Sequence, residues 1–126
     1  MTAQLEHVNF TASDPQATAD MLGRVFGWKI RWQGTAINGG HTMHVGSKDT
    51  YVAIYNPKKA ISDAPNSYGT LAGLNHIALT VDDLDAVEER VIAEGLKPVS
   101  HADYEPGRRF YFYDRDGIEW EVVQYD

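Results

Sequence analysis

The sequence of 126 residues contains the same pattern twice. "LEHVNFTASD" begins at Leu5 and "LNHIALTVDD" begins at Leu74, and leucine, histidine, threonine and aspartate coincide at matching points. His7 of the first copy therefore matches His76 of the second. Internal repetition indicates two copies of one supersecondary unit, and a unit of this size is too small to bury a core alone. We therefore expect two modules that share a core.

Each copy predicts the same order of elements. The runs "EHVNFT" and "NHIALT" alternate apolar and polar residues, which is typical of a half-buried strand. A helix follows in each copy, begun by Asp14 in the first and by Asp82 or Asp83 in the second, and ended by Gly27 and Gly95. Three further strands are predicted in each copy, over residues 29–37, 41–46 and 50–55, and over residues 98–102, 108–113 and 118–125.

The predicted fold class is α+β, with two paired βαβββ modules that form a single domain over residues 1–126. Module 1 covers residues 1–56 and module 2 covers residues 74–126. Residues 57–73 are rich in Pro, Gly, Ser and Asn and read as a linker. Two curved four-stranded sheets with their helices outside would enclose a cleft on their bare faces.

The composition limits the partners and the location. The net charge of −7 disfavours a nucleic-acid backbone, and no apolar stretch or leader-like N-terminus predicts a membrane span or secretion. The absence of cysteine excludes disulfides and thiolate metal sites. We expect a cytoplasmic protein whose partner is a small molecule.

The last hairpin assigns side chains to faces. "DRDG" at residues 114–117 predicts a tight turn, which would pair Phe112 with Glu119 and Phe110 with Glu121. Trp120 and its apolar neighbours would then lie under the helix, and both glutamates would lie on the bare face with the two repeat histidines. Glu119 is expected at the solvated rim.

The paired "LEHVNF" and "LNHIAL" strands, together with "GRRFYFYDRDGIEWEVVQY", resemble the vicinal oxygen chelate superfamily of glyoxalases, bleomycin-resistance proteins and extradiol dioxygenases. The resemblance implies a half-barrel around one divalent metal, with His7, His76 and Glu121 as ligands. Ala53 stands at the fourth ligand position of glyoxalase I enzymes, so three ligands remain. Two imidazoles and one carboxylate suit Fe, Zn, Mn, Co or Ni, and leave coordination positions open.

Further side chains are candidates for the cleft. His44 would face it, either as an acid or base or as a lining histidine that donates one hydrogen bond. Arg108 is expected to point inward and hold a substrate carboxylate or phosphate, with Arg109 pointing away. Substrate contacts are assigned to Tyr51, Phe110 and Phe112.

The resemblance implies a metal-dependent enzyme that acts on a small oxygen-bearing molecule, with glyoxalase-like lyase or isomerase chemistry. Two alternatives stay open, namely an extradiol ring-cleaving dioxygenase and a metal-free protein that binds an antibiotic or another small molecule. A homodimer is expected, because paired modules of this kind leave sheet edges exposed.

Overall fold

The computed structural model describes residues 1–63 and 65–126. It separates into two compact units, Met1–Ser62 and Asp63–Asp126. Their boundary falls inside the predicted linker, so residues 63–73 of that segment belong to the second unit. Residue 64, also part of the predicted linker, lies outside the described residues. The grouping of both modules into a single domain stays a prediction.

The first unit contains one helix and a four-stranded mixed sheet. Strand β1 (His7–Thr11) is an edge strand and runs parallel to β4 (Tyr51–Asn56). Strands β4, β3 (His41–Gly46) and β2 (Lys29–Thr35) are antiparallel neighbours, and β2 forms the other edge. The strand predicted to reach residue 37 ends at Thr35, because the chain turns into a short 3-10 helix in which Asn38 and Gly39 have positive φ. The elements are β1 His7–Thr11, α1 Pro15–Phe26, β2 Lys29–Thr35, the 3-10 helix Ile37–Gly39, β3 His41–Gly46 and β4 Tyr51–Asn56.

The second unit repeats this arrangement. Strand β5 is parallel to β8, and β8, β7 and β6 are antiparallel neighbours. Two four-stranded mixed sheets with one helix each confirm the predicted βαβββ order. The elements are a 3-10 helix Ser67–Gly69, β5 Ile77–Thr80, α2 Leu84–Ala93, β6 Val99–Tyr104, β7 Gly107–Tyr113 and β8 Glu119–Tyr125.

Local residues begin both helices, and end α1, as the sequence predicts, whereas α2 ends at Ala93 with Glu94 as its C-cap and Gly95 follows. The Asp14 carboxylate accepts from the backbone N–H of Ala17, and Asp83, rather than Asp82, accepts from Ala86, both at 3.1 Å. The chain leaves α1 through Gly27 in the left-handed conformation (φ 74°), which glycine adopts without strain. The longest helix in the described part of the chain has 12 residues, and none there is long and apolar enough to cross a membrane.

The pairing register of β7 with β8 in the last hairpin differs from the prediction by one residue. Residues 115–117 form its loop, and Asp114 N–H donates to the Ile118 carbonyl at 3.0 Å. Phe112 therefore pairs with Trp120, and Tyr111 pairs with Glu121. A slip of one residue moves every side chain of a strand to the opposite face. This register decides which side chains of β7 accompany the glutamates.

Candidate functional site

A histidine and a glutamate meet on the face of the second sheet that lies away from α2. His76 directly precedes β5, and Ala78 of β5 pairs with Glu121 of the parallel strand β8. His76 Nε2 lies 3.0 Å from Glu121 Oε1. The Glu121 side chain is 8% exposed and that of His76 is 33% exposed, so the carboxylate is sheltered while the imidazole stays accessible.

Arg109 holds the other oxygen of this carboxylate. Its Nη1 donates to Glu121 Oε2 at 3.0 Å, and its guanidinium lies 4.7 Å from the Tyr104 ring centroid. The predicted directions of the two arginine side chains are exchanged: Arg109 points to Glu121, whereas Arg108 contacts Asp85 of helix α2 at 3.1 Å. The one-residue change in hairpin register is the physical reason. Arg108 therefore does not face the site.

The same shift removes two predicted substrate contacts. Phe110 and Phe112 are fully buried, opposite Val122 and Trp120, on the face that α2 covers. They are core residues, and the expectation that they touch substrate is corrected. Tyr111 lies on the open face instead, where its ring packs against His76 in an edge-to-face arrangement with centroids 5.8 Å apart. Burial and the nearby Glu121 carboxylate raise the pKa of the Tyr111 hydroxyl.

Glu119 is not a solvated rim residue, as the sequence had suggested. Its side chain is only 10% exposed. It accepts hydrogen bonds from the hydroxyls of Tyr68 and Tyr113, the latter at 2.6 Å, and its Oε2 lies 3.5 Å from His76 Nδ1. The bond to Glu119 raises the pKa of Tyr68 to about 12 and also raises that of Tyr113. Glu119 is therefore part of the same polar cluster as His76.

Tyr68 is a site residue that the sequence did not suggest. It lies in the 3-10 helix Ser67–Gly69, inside the segment predicted as a linker. The Asn66 side chain accepts from the Tyr68 backbone N–H at 3.1 Å, and Tyr68 Oη lies 3.3 Å from His76 Nδ1. Asn66 is a sequence signal for a local cap at this point, since asparagine favours such caps, but the cap does not indicate that Tyr68 reaches the sheet.

The first unit carries its own cluster around His7. The His7 ring stacks on Tyr51 with centroids 4.8 Å apart, and Tyr51 stacks on His44 at 4.5 Å. Glu6 Oε1 lies 2.8 Å from His7 Nδ1 and accepts from the Tyr51 hydroxyl, and these bonds lower the pKa of Glu6. Arg31 covers the Tyr51 ring at 4.6 Å.

His44 lies in the middle of β3 and pairs with Ala53. Burial lowers its pKa, with smaller contributions from the nearby charges of His7 and Arg31. Ala53 pairs with His44 and Asn9 in the first sheet as Glu121 pairs with Tyr111 and Ala78 in the second. Ala53 therefore occupies in the first sheet the position that Glu121 occupies in the second, and it offers no carboxylate there.

The described residues contain no group of three or more His, Cys, Asp or Glu side chains arranged to hold a metal ion. The second unit brings together two of the three predicted ligands, His76 and Glu121. His7 lies in the first unit, and its assignment as the third ligand stays a prediction.

The family model described as the Glyoxalase/Bleomycin resistance protein/Dioxygenase superfamily matches residues 4–122. The chain belongs to this superfamily. No curated protein matches the chain.

Solved structures of the superfamily fold are similar over nearly the whole chain. A glyoxylase/bleomycin resistance protein/dioxygenase domain from Frankia sp. EAN1pec has a TM-score of 0.84 at 20% identity, with 100% of both chains covered. The fosfomycin resistance protein FosX from Listeria monocytogenes, complexed with Mn(II) and sulfate, has a TM-score of 0.73 at 19% identity, covering 100% of this chain and 95% of that one. TnmS3, an antibiotic binding protein from Streptomyces sp. CB03234, has a TM-score of 0.74 at 18% identity, covering 99% of this chain and 98% of that one.

Proposed function

We propose that this superfamily member is a metal-dependent enzyme that acts on a small oxygen-bearing molecule, with glyoxalase-like lyase or isomerase chemistry. The observation that carries the proposal is the approach of His76 Nε2 to Glu121 Oε1. An imidazole nitrogen and a carboxylate oxygen are ligands that Mn, Fe, Co, Ni and Zn accept. His7 completes the proposed set.

The separation of the two atoms fits a shared metal ion. Ligand atoms about 2.1 Å from one ion, at angles between square and tetrahedral, lie about 3.0 to 3.4 Å apart. His76 Nε2 and Glu121 Oε1 are 3.0 Å apart. When bound, the metal would polarise a substrate oxygen. Three protein ligands would leave room for that oxygen.

The surrounding side chains have separate roles in this proposal. Arg109 orients Glu121 and balances its charge. Arg109 Nε is buried and has no hydrogen-bond partner among the described residues. Its lowered pKa makes His44 a candidate to accept a proton rather than to donate one.

A second function, metal-free binding of a small molecule, is supported by a different observation. Arg109 already neutralises Glu121 in a largely buried ion pair, so the carboxylate does not need a metal to balance its charge. TnmS3 is an antibiotic binding protein of similar fold. An extradiol dioxygenase remains a further alternative within the enzyme class.

Metal content separates the two functions. Protein purified without chelators should contain about one equivalent of a divalent metal per chain, measured by inductively coupled plasma mass spectrometry. If the protein is metal-free and rejects added Mn(II), Fe(II), Zn(II) and Ni(II) in calorimetric titrations, the enzyme proposal is wrong. A thermal-shift screen of catechols, 2-oxoaldehyde–thiol adducts and antibiotics then selects the substrate class.

We also propose a homodimer. In the described part of the chain each sheet has two edge strands that pair along one edge only, namely β1 and β2 in the first sheet and β5 and β6 in the second, and free edges favour association. Sedimentation at micromolar concentration tests the dimer, and a strict monomer contradicts it. If modules exchange between chains, a His7→Ala variant refolded with a Glu121→Ala variant regains intact metal sites. If every site is built within one chain, the mixture regains none.

A further inference from the structure

Four aromatic rings cross the first sheet on the face that lies away from α1. His7 of β1 stacks on Tyr51 of β4 with ring centroids 4.8 Å apart, and Tyr51 stacks on His44 of β3 at 4.5 Å. His44 in turn packs against Trp32 of β2 at 5.1 Å. This aromatic row follows the strand order β1–β4–β3–β2. Its last member, Trp32, is 53% exposed, so the row ends in a ring that a ligand can reach.

The position of the Trp32 indole depends on two neighbours. It packs against the His44 ring, and its six-membered ring lies over Gly34, which shares its face of β2. A Cβ atom added to Gly34 would lie 2.8 Å from Trp32 Cζ2 and 3.0 Å from Trp32 Cη2. Only glycine at position 34 therefore leaves room for the indole in this orientation. A ring that is placed before its ligand arrives loses little conformational freedom on binding, which favours affinity.

A β-bulge brings a cation to the same face. The register of β2 with β3 shifts between Ile30 and Trp32, so Arg31 is an extra residue in β2. Alternation along a regular strand would send Arg31 and Trp32 to opposite faces, whereas a bulge changes the direction of a side chain. The Arg31 guanidinium lies 4.6 Å from the ring centroid of Tyr51, a member of the aromatic row. Two consecutive residues of β2, one aromatic and one cationic, therefore reach the same face.

We infer that Trp32 and Arg31 select a planar aromatic carboxylate as the ligand of this face. The indole stacks on the conjugated ring of the ligand, and the planar guanidinium pairs with the carboxylate through two parallel hydrogen bonds. Arg31 forms no ion pair with any residue in the described part of the chain, so it has no carboxylate partner to give up. The inference names a substrate class within the proposed function and rests on it, but this binding step requires no metal.

The probe is 2-naphthoate, compared with 2-naphthalenemethanol, which is planar but neutral, and with decalin-2-carboxylate, which is anionic but saturated. In calorimetric titrations of metal-free protein, each of the two analogues should bind about tenfold more weakly than 2-naphthoate. The place of binding is measured from the indole N–H signals in ¹⁵N spectra, since the chain has three tryptophans. The Trp32 signal, assigned from its loss in Trp32→Leu, should shift with 2-naphthoate, and that of the fully buried Trp120 should not.

Variants of β2 separate the two contacts. Trp32→Leu should bind 2-naphthoate about tenfold more weakly and lose the preference over the saturated acid. Arg31→Met should weaken 2-naphthoate by a similar factor and leave the affinity for the neutral alcohol unchanged. Gly34→Ala retains both side chains and displaces the indole, so it should weaken 2-naphthoate as Trp32→Leu does. The matched control is Gln33→Ala, which changes the opposite face of β2 and should bind like the unmodified protein.

Equal affinity for 2-naphthoate and the saturated acid, an unshifted Trp32 signal, or full affinity in Gly34→Ala overturns the inference, as does a lack of 2-naphthoate binding at millimolar concentration. If 2-naphthoate binds as expected and no metal binds, the enzyme proposal fails while the ligand class stands. If metal binds and 2-naphthoate does not, the ligand class is wrong while the enzyme proposal stands. Thermal unfolding identifies any variant that has lost its fold, and the ranking of the three probes on the unmodified protein decides the inference without a variant.

Discussion

Arg109 Nη1 lies 3.0 Å from Glu121 Oε2, and the two side chains are 13% and 8% exposed. The preceding residue, Arg108, forms an ion pair of nearly the same length with Asp85, but both partners are solvent-exposed. The two arginines are neighbours in sequence and point to opposite faces of β7. They therefore offer a matched comparison of a sheltered and an exposed ion pair.

Arg109→Met should lower the free energy of unfolding by about 3 kcal/mol, because it leaves Glu121 as an uncompensated, largely buried charge. Arg108→Met should cost no more than about 1 kcal/mol, since its pair with Asp85 is exposed. Urea unfolding measures both. Equal losses for the two variants would contradict the assignment of Arg109 to the sheltered face.

His76→Ala and Glu121→Ala should lose bound metal and retain the fold, because neither side chain contributes to the apolar core. Glu121→Ala should also lower the free energy of unfolding, because it leaves Arg109 without its carboxylate partner. The loss is measured as metal content and as calorimetric affinity, with circular dichroism as the check on folding. His7→Ala should behave in the same way if His7 is the third ligand. The control is His101→Ala, which removes an exposed contact to Glu88. Full metal occupancy in the three ligand variants would reject the proposed set.

Substitutions on β7 test the hairpin register. Phe112→Ala should destabilise the protein by about 3 to 5 kcal/mol, because it opens a cavity against Trp120 in the core. Tyr113→Ala should cost only about 1 kcal/mol, since it removes a half-exposed ring and one hydrogen bond to Glu119. A larger loss for Tyr113→Ala than for Phe112→Ala would mean that the strand faces are reversed.

Asp114 ties the hairpin to the core and gives a pH-dependent prediction. It accepts hydrogen bonds from Trp120 Nε1 and from the backbone of Asp116 and Ile118. Asp114→Asn should lower the free energy of unfolding at pH 7 by about 1 to 3 kcal/mol, because an amide cannot accept from all three donors.

Burial raises the pKa of Asp114 above its ordinary value of 3.8. A raised pKa in the folded state adds a pH-dependent contribution to the free energy of unfolding, beyond that of the hydrogen bonds. This contribution is fully present below pH 3.8 and is lost as the pH rises through the folded pKa. The stability advantage over Asp114→Asn should therefore be larger near pH 4 than at pH 7. An advantage that grows toward pH 7 would give the pKa shift the opposite sign.

The sequence was informative where a local pattern determines local structure. The repeat around His7 and His76 predicted the βαβββ order, and Asp14 and Gly27 predicted the ends of α1. The register of the last hairpin depends on whether its loop has two residues or three, and "DRDG" is compatible with both. The three-residue loop shifts the register by one residue. It therefore turns Arg109 rather than Arg108 toward Glu121, and it places Phe110 and Phe112 in the core.

Tyr68 shows a different limit of sequence analysis. A composition typical of linkers indicates only that a segment lacks regular structure, and it carries no information on which side chain returns to the sheet. The contact of Tyr68 with Glu119 joins residues that are 51 positions apart in the chain.

The short helix that carries Tyr68 has a consequence for dividing or recombining this protein. A cut at the start of the sequence repeat, before Leu74, would keep every strand of the second sheet and discard the tyrosine that reaches His76. The compact unit begins earlier, at Asp63. A fragment or chimera that begins there carries the hydroxyl with it, so the functional boundary of the second half precedes the boundary that its repeat suggests.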